Sequence, residues 1–317
     1  MAPSRRTLLR AAVLSAAGAA SPAAAGCSSG DGGGTVLRLA TGGRGGPYEA
    51  LGARLAAELR RHGFTVRVLP TAASVANLGL LAEGRADVGF ALADSAEDAV
   101  RVRRLPVAAL ARLYMNYVHL IVRADSRIRT PADLAGRTVS INAGGSGTAV
   151  TAERILAAAG AARAPGRRTR VLRLGLYESI EALRSGRIEA FFWSGGVPTP
   201  ALEEFRRGTP IRLIALDGLV TPLRRAHGPL YEEASVPARS YGLSGPVATV
   251  GTASHLVCRM GMAARHARAV TRILFSSRDR LRVPDAPGGR LDERYAIGTG
   301  SVPLHPGAAA YYRSVYG

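Results

Sequence analysis

The stretch GRADVG at residues 84–89 returns as GRIEAF at residues 186–191. The glycines that open the two copies, Gly84 and Gly186, are 102 positions apart. Gly42 and Gly144, which lie in two glycine-rich loops, are separated by the same interval. A constant offset at both ends of a long segment indicates two structural units of one type within a single chain.

Each copy has the pattern of strand, glycine-rich loop and helix. Residues 36–40 predict a strand, and the loop TGGRGG follows at residues 41–46. Pro47 suits the first position of a helix, because an N–H group at that position has no intrahelical acceptor and proline has no such group. Apolar residues then recur at spacings of three and four. The other predicted elements are strands over 64–69, 87–92, 138–141 and 171–174, helices over 150–159, 179–183 and 264–275, and a helix that begins with Ser74 as its cap and runs to about residue 83.

Strands that alternate with helices favour, in each unit, a mainly parallel sheet flanked by helices. Two such units predict a two-lobed α/β protein with a ligand cleft between the lobes, since open α/β sheets bind ligands at the carboxyl ends of their strands. The chain is expected to cross between lobes near residues 118–122 and to return near residues 240–250. The expected division is an export signal over 1–27, a flexible linker over 28–35, a first lobe made of 36–120 with about 245–317, and a second lobe over about 121–244.

The charge of the chain is high but lacks the pattern of a nucleic-acid-binding surface. The 317 residues carry a formal net charge of +19, and all 42 basic residues are arginine. These arginines are dispersed, and the densest groups, at residues 101–104 and 167–170, contain no interleaved aromatic side chains. Nucleic-acid binding is therefore not expected, and the charge indicates a solvated basic surface that suits a position near anionic lipid.

The N-terminus has the order of an export signal. SRRTLLR at residues 4–10 resembles a twin-arginine signal, and the apolar run that follows is shorter than the roughly 20 residues that span a bilayer. Two interpretations of the cleavage site stay open: AAGC at residues 24–27 resembles a lipobox in which Cys27 is lipidated, whereas an Ala-x-Ala site ending at Ala25 would release a soluble protein. The glycine-rich linker after Cys27 suits a tether, so we expect a protein anchored by lipid to the outer face of the cell membrane.

The glycine-rich loops indicate where a ligand would bind. Each leads into a helix N-terminus, where backbone N–H groups form a site for a carboxylate or phosphate, and Ser146 and Thr148 add hydroxyl donors. The alternative is that these glycines only permit tight turns between strand and helix. Residues 43–48 and 144–148 each fail a catalytic or cofactor motif at its last position, and the six histidines are scattered. We expect no enzyme activity, no metal and no cofactor.

A series of short motifs runs in order from residue 36 to the C-terminus. Its members are ATGG at 40–43 with Pro47 and Tyr48, Ser74 with Asn77, GRADVG at 84–89, ADLAGRTV at 132–139, GSGT at 145–148, AFFWSGG at 190–196 and LHPGAAAYY at 304–312. Taken together, the series resembles the TAXI group of TRAP-transporter solute receptors, which have the type II periplasmic-binding-protein fold.

The resemblance implies a monomeric extracytoplasmic receptor. A small organic acid or an acidic amino acid such as glutamate would settle between the lobes, which close on it by a hinge, and the closed receptor would present it to a TRAP-type permease. The positions carried over as ligand-lining are Thr41, Gly42, Gly43, Tyr48, Ser74, Ser146, Gly147, Thr148, Ser194, Gly195 and Gly196. Trp193 and Tyr114 would stack on or cover the ligand, or else pack within their lobes.

Two departures from the family pattern bear on the ligand. The segment ALAD at 91–94 lacks the usual Gln and Ser, and Ala149 stands where the family has an arginine after the GSGT run. The cleft is therefore expected to be less polar on one side, which admits a more apolar carboxylate than glutamate.

One other kind of binding protein and two other classes of function are the alternatives. An ABC-type receptor for another small nutrient shares the fold, and a neighbouring gene for a polytopic permease or for an ATPase would separate the two. A secreted hydrolase or transferase would require a nucleophile that no residue supplies. A regulatory effector-binding domain conflicts with the export signal.

Overall fold

The structure is a computed structural model that describes residues 34–163, 166–281 and 291–317. The expected export signal, including Cys27, and residues 28–33 of the expected linker lie outside the described residues. The strands in this part of the chain are β1 Val36–Ala40, β2 Thr65–Leu69, β3 Val88–Leu92, β4 Val107–Arg123, β5 Thr138–Ser140, β6 Arg170–Leu172, β7 Ala190–Gly195, β8 Ile211–Leu213, β9 Tyr231–Val236 and β10 Val247–Arg259.

The helices lie between these strands and at the C-terminal end. They are α1 Pro47–Arg61, α2 Ser74–Ala82, α3 Ala93–Arg101, α4 Gly147–Ala158, α5 Leu176–Arg184, α6 Pro200–Gly208, α7 Val220–His227, α8 Ala264–Ser276, α9 Glu293–Ala296 and α10 Pro306–Tyr316. Short 3₁₀ turns occur at Pro131–Leu134, Ala161–Arg163, Asp217–Leu219 and Ser240–Gly242. Among the described residues, no helix combines the length and the apolar character needed to cross a membrane.

The sheet contains the same parallel group twice. In the first group β1 pairs with β2 and β3, and in the second β5 pairs with β6 and β7, all in parallel. The complete order is β2-β1-β3-β10-β4-β7-β5-β6, with β8 beside β4 and β9 beside β10. Strands β4 and β10 run antiparallel to each other between the two groups. The predicted fold class, an α/β protein in which helices flank a mainly parallel sheet in each lobe, is confirmed; β4 and β10 join the two parallel groups into one central sheet.

The repeat extends to single hydrogen bonds. Asp87, just before β3, accepts the N–H of Arg38 and donates its own N–H to the Arg38 carbonyl, both at 2.9 Å. Glu189, just before β7, does the same with Thr138, at 3.2 and 2.8 Å. Each carboxylate also forms an ion pair with an arginine on or next to the neighbouring parallel strand. Asp87 pairs with Arg38 in β1, and Glu189 pairs with Arg137 just before β5. The recurring acidic residue therefore joins two parallel strands in each copy.

Hydrophobic cores divide the described chain into two lobes. The first lobe comprises β1 to β3, α1 to α3 and α8 to α10, and the second comprises β5 to β9 and α4 to α7. Strands β4 and β10 run through both. On β4, Tyr114 packs in the core of the first lobe and Val118 in that of the second; on β10, Val250 and Leu256 mark the same change in reverse.

Two local predictions are wrong in detail. Ser74 is not the cap of a helix: it is the first residue of α2, and its Oγ accepts the N–H of Leu92 from β3 at 3.0 Å. The helix predicted over 150–159 begins earlier, at Gly147, because the Oγ of Ser146 accepts the N–H of Ala149 at 3.1 Å and so caps it.

Candidate ligand-binding site

A cavity of about 320 Å³ lies between the two lobes. The first turns of four helices reach it, α1 and α2 from the first lobe and α4 and α5 from the second. Its lining residues are Gly42, Gly43, Arg44, Gly46, Pro47, Tyr48, Ala72, Ala73, Ser74, Leu92, Asn116, Asn142, Ala143, Ser146, Gly147, Thr148, Gly175, Leu176, Tyr177, Glu178, Trp193 and Ser194. The volume lies within the range of small-molecule pockets, about 300–1,000 Å³.

The converging helix N-termini make the cavity favourable for an anion. Free N–H groups and aligned peptide dipoles place partial positive charge at helix N-termini. At α5 this charge is offset by the carboxylate of Glu178, which accepts the Gly175 N–H. In α4, the Ser146 side chain satisfies the N–H of Ala149. The N–H groups of Gly147 and Thr148, the first two helical residues, have no intrahelical acceptor because of their position, and both residues line the cavity. An anionic group placed here would receive them.

Side-chain donors also face this space. Ser194 at the end of β7 is only 8% exposed, and its Oγ has no hydrogen-bond partner in the described structure although it lines the cavity. Asn142 adopts the left-handed conformation, with φ of 76°, and its Oδ1 accepts the N–H of Ala143 at 2.6 Å. Since the amide oxygen is used in this way, the Asn142 side chain has its NH₂ group left for a ligand. An unpaired buried hydroxyl is costly without a ligand, so Ser194 points to one.

The floor of the cavity is tied to both connecting strands. Tyr48 stacks on Phe90 with 5.2 Å between ring centroids, and its hydroxyl lies 2.8 Å from the Oγ of Ser254 on β10. Asn116 on β4 donates from Nδ2 to the same Ser254 oxygen. Burial raises the pKa of Tyr48, so the phenol is the neutral form. A ligand that touches Asn116 therefore contacts β4 directly, and one that touches Tyr48 is linked to β10 through Ser254.

The Trp193 wall is held by a chain of directed hydrogen bonds. The Trp193 Nε1–H donates to the Thr199 Oγ1 at 3.0 Å, and the Thr199 N–H donates to the Tyr241 hydroxyl at 2.7 Å. That hydroxyl donates to Nε2 of His119 at 3.2 Å, and Nδ1 donates to the Tyr117 carbonyl. Burial lowers the pKa of His119 to about 4, which agrees with a neutral ring that accepts at Nε2.

At the mouth of the cavity, the lobes touch through Arg44 and Tyr177. The Arg44 guanidinium lies over the Tyr177 ring, 5.4 Å from its centroid. Gly45, with φ of +78°, leaves room for the ring, since a Cβ there would lie 2.9 Å from Tyr177 Cε2. Glu178 also lines the cavity, and its carboxylate accepts the N–H of Gly175 at 2.7 Å.

A buried polar network joins α3 of the first lobe to α4 and β9 of the second. Asp94 is fully buried and accepts from Thr151 Oγ1 at 2.6 Å and from the Tyr231 hydroxyl at 3.1 Å. Arg154 pairs with Asp98 at 2.6 Å, donates to Tyr231 at 2.8 Å, and lies 4.0 Å from Asp94. Burial raises the pKa of Asp94, against the opposing effects of the Thr151 hydrogen bond and of the Arg154 charge.

The structure brings most of the sequence-predicted positions to one cavity. Those that line it are Gly42, Gly43, Tyr48, Ser74, Ser146, Gly147, Thr148, Trp193 and Ser194. The other four lie elsewhere: Thr41 is buried with its hydroxyl donating to the Leu69 carbonyl, Tyr114 packs in the first-lobe core, Gly195 lies against the Trp193 indole, and Gly196 lines a neighbouring cavity.

Sequence reasoning missed several lining residues. Tyr177 and Glu178 follow β6 at the N-terminus of α5, so the rule that ligands bind after the carboxyl ends of strands would have found them. Asn142 stands just before the second glycine loop and could have been found in the same way. Asn116 carried no such signal, because it lies in the middle of the long strand β4.

Comparison with known proteins gives a family and a fold. Residues 39–315 match the model of the NMT1-like family. A protein from Bordetella bronchiseptica RB50 superimposes with a TM-score of 0.52 at 19% identity, over 89% of this chain and 88% of that one. A Xanthomonas citri protein bound to ATP gives 0.51 at 15%, over 89% and 95%. An ancestral arginine-binding protein bound to arginine gives 0.50 at 15%, over 77% and 92%. At these identities the likeness shows the fold, that of periplasmic binding proteins.

Proposed function

Since this chain belongs to the NMT1-like family, we propose that it is an extracytoplasmic solute-binding receptor that captures a small solute by an anionic group. The observation that carries the proposal is the cavity between the lobes, where four helix N-termini and the unpaired Ser194 hydroxyl converge. These groups are donors or carry partial positive charge, and they complement a carboxylate, sulfonate or phosphate.

The proposal extends to the transport partner and to the anchor. The motif series that resembles TAXI receptors supports a TRAP-type permease as the acceptor of the solute, and the lipobox-like sequence supports lipidation at Cys27. The solute is proposed to be a carboxylate less polar than glutamate, because Leu92, Leu176 and Trp193 contribute apolar walls beside the donor groups.

Binding without turnover is part of the same proposal. Ser146, the hydroxyl nearest in sequence to a nucleophile motif, is engaged as the cap of α4. The cavity lining contains no histidine that could act as its base. The three aromatic side chains in the lining, Tyr48, Tyr177 and Trp193, supply contact surface for a ligand.

A ligand screen tests the proposal directly. The mature domain from Ser28 onward is expected to gain thermal stability with some carboxylates, because a ligand that binds only the folded state stabilises it by about 2.7 kcal/mol at a concentration 100 times its Kd. Trp193 is the only tryptophan of the chain and lines the cavity, so its fluorescence reports binding at this site. Binding of neutral or cationic solutes, with no response to carboxylates, sulfonates or phosphates, would contradict the anion site.

The Ser194→Ala variant is expected to weaken binding of any anion found in the screen by about fivefold, the effect of losing about 1 kcal/mol of hydrogen bonding. Its own stability should not fall, because the Ser194 Oγ has no hydrogen-bond partner among the described residues. The matched control is Ser277→Ala: this buried serine lies at the end of α8, away from the cavity, and accepts from Arg280 at 3.1 Å. The Ser277→Ala variant should lose stability and keep its affinity. If Ser277→Ala instead lowered the affinity and Ser194→Ala lowered only the stability, the ligand would bind elsewhere.

A further inference from the structure

A second cavity of about 200 Å³ adjoins the proposed site. Gly46, Pro47 and Tyr177 line both cavities, so the two spaces share a wall. Like the first cavity, the second is formed by both lobes: Ala50 on α1 faces it from the first lobe, and Ala201 on α6 from the second. Both cavities therefore lie between the lobes, next to each other at Gly46, Pro47 and Tyr177.

Apolar side chains supply much of the lining of the second cavity, and its threonine hydroxyl already has hydrogen-bond partners. Pro198, Pro200 and the two alanines Ala50 and Ala201 give carbon surface. The Thr199 hydroxyl lines it but is already engaged, because it accepts from Trp193 and donates to the Gly196 carbonyl at 2.8 Å. The N-terminus of α6 also reaches this cavity, but Pro200 has no N–H group and the Thr199 carbonyl accepts the N–H groups of Leu202 and Glu203 at 3.0 and 3.1 Å.

The charged groups around the junction oppose a second anion. Glu49 lines the second cavity, and its carboxylate accepts the N–H of Gly45 at 2.7 Å. Arg44 is the basic residue of the first cavity's lining, and its guanidinium lies over the Tyr177 ring. An anionic group in the second cavity would therefore lie beside the Glu49 carboxylate.

We infer that the solute is a monoanion with an apolar tail, bound by its anionic end in the first cavity with its tail in the second. This inference rests on the proposed function and narrows it: a monocarboxylate of medium chain length fits, whereas a dicarboxylate of the same length does not. Removing a methylene group from water contributes about 0.8 kcal/mol, which makes each additional carbon worth about fourfold in affinity while the tail stays within the cavities.

The test is a titration of Trp193 fluorescence with straight-chain monocarboxylates from acetate to octanoate and with the matching α,ω-dicarboxylates. Affinity is expected to rise about fourfold per methylene and then to level off when the tail fills the second cavity. Each dicarboxylate should bind at least about fivefold more weakly than the monocarboxylate of equal length, since like charges a few ångströms apart repel by about 1 kcal/mol even in water.

The Ala50→Leu variant tests whether the dependence of affinity on chain length arises in the second cavity. A leucine here would fill part of the second cavity, so the ratio of octanoate to propionate affinity should fall toward one. Ala53→Leu is the matched control, since Ala53 is an exposed alanine of the same helix that lines neither cavity, and it should keep the wild-type ratio. If Ala50→Leu does not fold, Ala201→Leu fills the cavity from the opposite lobe.

The outcomes separate the inference from the proposed function. If short carboxylates bind but affinity does not depend on chain length, or if Ala50→Leu and Ala201→Leu keep the wild-type ratio, the second cavity holds no tail and this inference is wrong. If dicarboxylates bind more tightly than monocarboxylates, it is also wrong. If no carboxylate of any length binds, the proposed anion site is wrong as well.

Discussion

Replacing Arg154 with methionine is expected to lower the free energy of unfolding by about 3–5 kcal/mol, because removal of one partner leaves a buried charge uncompensated. Asp94 is fully buried, and Arg154 is only 13% exposed while it bridges Asp94 and Asp98. Methionine keeps most of the aliphatic part of the arginine side chain. The decrease in the free energy of unfolding therefore measures the contribution of the guanidinium and its hydrogen bonds. Chemical denaturation of the variant and the wild type measures the difference.

Arg173→Met is the matched control. Arg173 forms an ion pair at 2.7 Å with Glu153, which lies next to Arg154 in α4, but both side chains of this pair are more than half exposed. Exposed pairs contribute about 0–1 kcal/mol, so the same substitution should change stability little. Adding Asp94→Asn to Arg154→Met should restore part of the loss, since it removes the stranded charge. Equal losses for Arg154→Met and Arg173→Met would mean that the network does not stabilise the fold.

The loss should also depend on pH in a defined direction. Burial raises the pKa of Asp94 in the folded protein above its unfolded value, so this group stabilises folding at low pH and the contribution is lost as pH rises through the folded pKa. Removing Arg154 raises that pKa further. The difference between variant and wild type should therefore grow with pH and be smaller at about pH 5 than at about pH 8. His227 lies near the network, and burial lowers its pKa, so Arg154→Met is best compared with a variant that also carries His227→Gln.

The fold could be predicted because its strongest signals are local and repeated. The strand β1, the proline at the start of α1 and the glycine loops each follow from a few adjacent residues. The offset between Gly84 and Gly186, equal to that between Gly42 and Gly144, then indicates two such units in one chain. The shared hydrogen bonds of Asp87 and Glu189 give the physical reason for the repeat, because a carboxylate at this position joins two parallel strands in each lobe.

The connecting strands were harder to predict. Strand β4 covers Val107–Arg123, whereas the sequence suggested a crossing only at residues 118–122. Most of its residues are buried, so apolar side chains follow one another without the alternation that marks a half-exposed strand. Periodicity cannot show where such a strand begins, and a residue such as Asn116 in its middle looks like an interruption when it is in fact part of a cavity wall.

Contacts between lobes were beyond the reach of the sequence for a different reason. Asp94 and Thr151 are 57 positions apart, and nothing in either local pattern points to the other. The sequence predicts that residues 91–94 form a less polar side of the cleft, but of these four residues only Leu92 lines the cavity. Asp94 instead turns to the opposite lobe. Hydrogen bonds of this kind form only where the two folded lobes come into contact, so they depend on the relative position of the lobes.

Replacing Gly147 with alanine is expected to weaken ligand binding by about five- to 150-fold, because the new methyl group would separate the lobes and such overpacking costs about 1–3 kcal/mol. Gly147 is the first residue of α4 in the second lobe. A Cβ on it would lie 2.8 Å from Leu92 Cδ1 and still closer to Ser74 Oγ, both in the first lobe. The Ser74 hydroxyl is held by the Leu92 N–H and cannot easily withdraw. Fluorescence titration with the best carboxylate measures the loss.

Gly79→Ala separates this steric effect from the general effect of an added methyl group. Gly79 lies in α2, and a Cβ there would meet nothing within 4 Å. Alanine in a helix interior is favoured over glycine by about 0.5–1 kcal/mol, so this variant should gain stability and keep its affinity. Gly147→Ala should lose affinity although alanine is also the better helix former at its position. If both variants bind like the wild type, the approach of α4 to Ser74 and Leu92 is not needed for binding, and the solute must be held by one lobe alone.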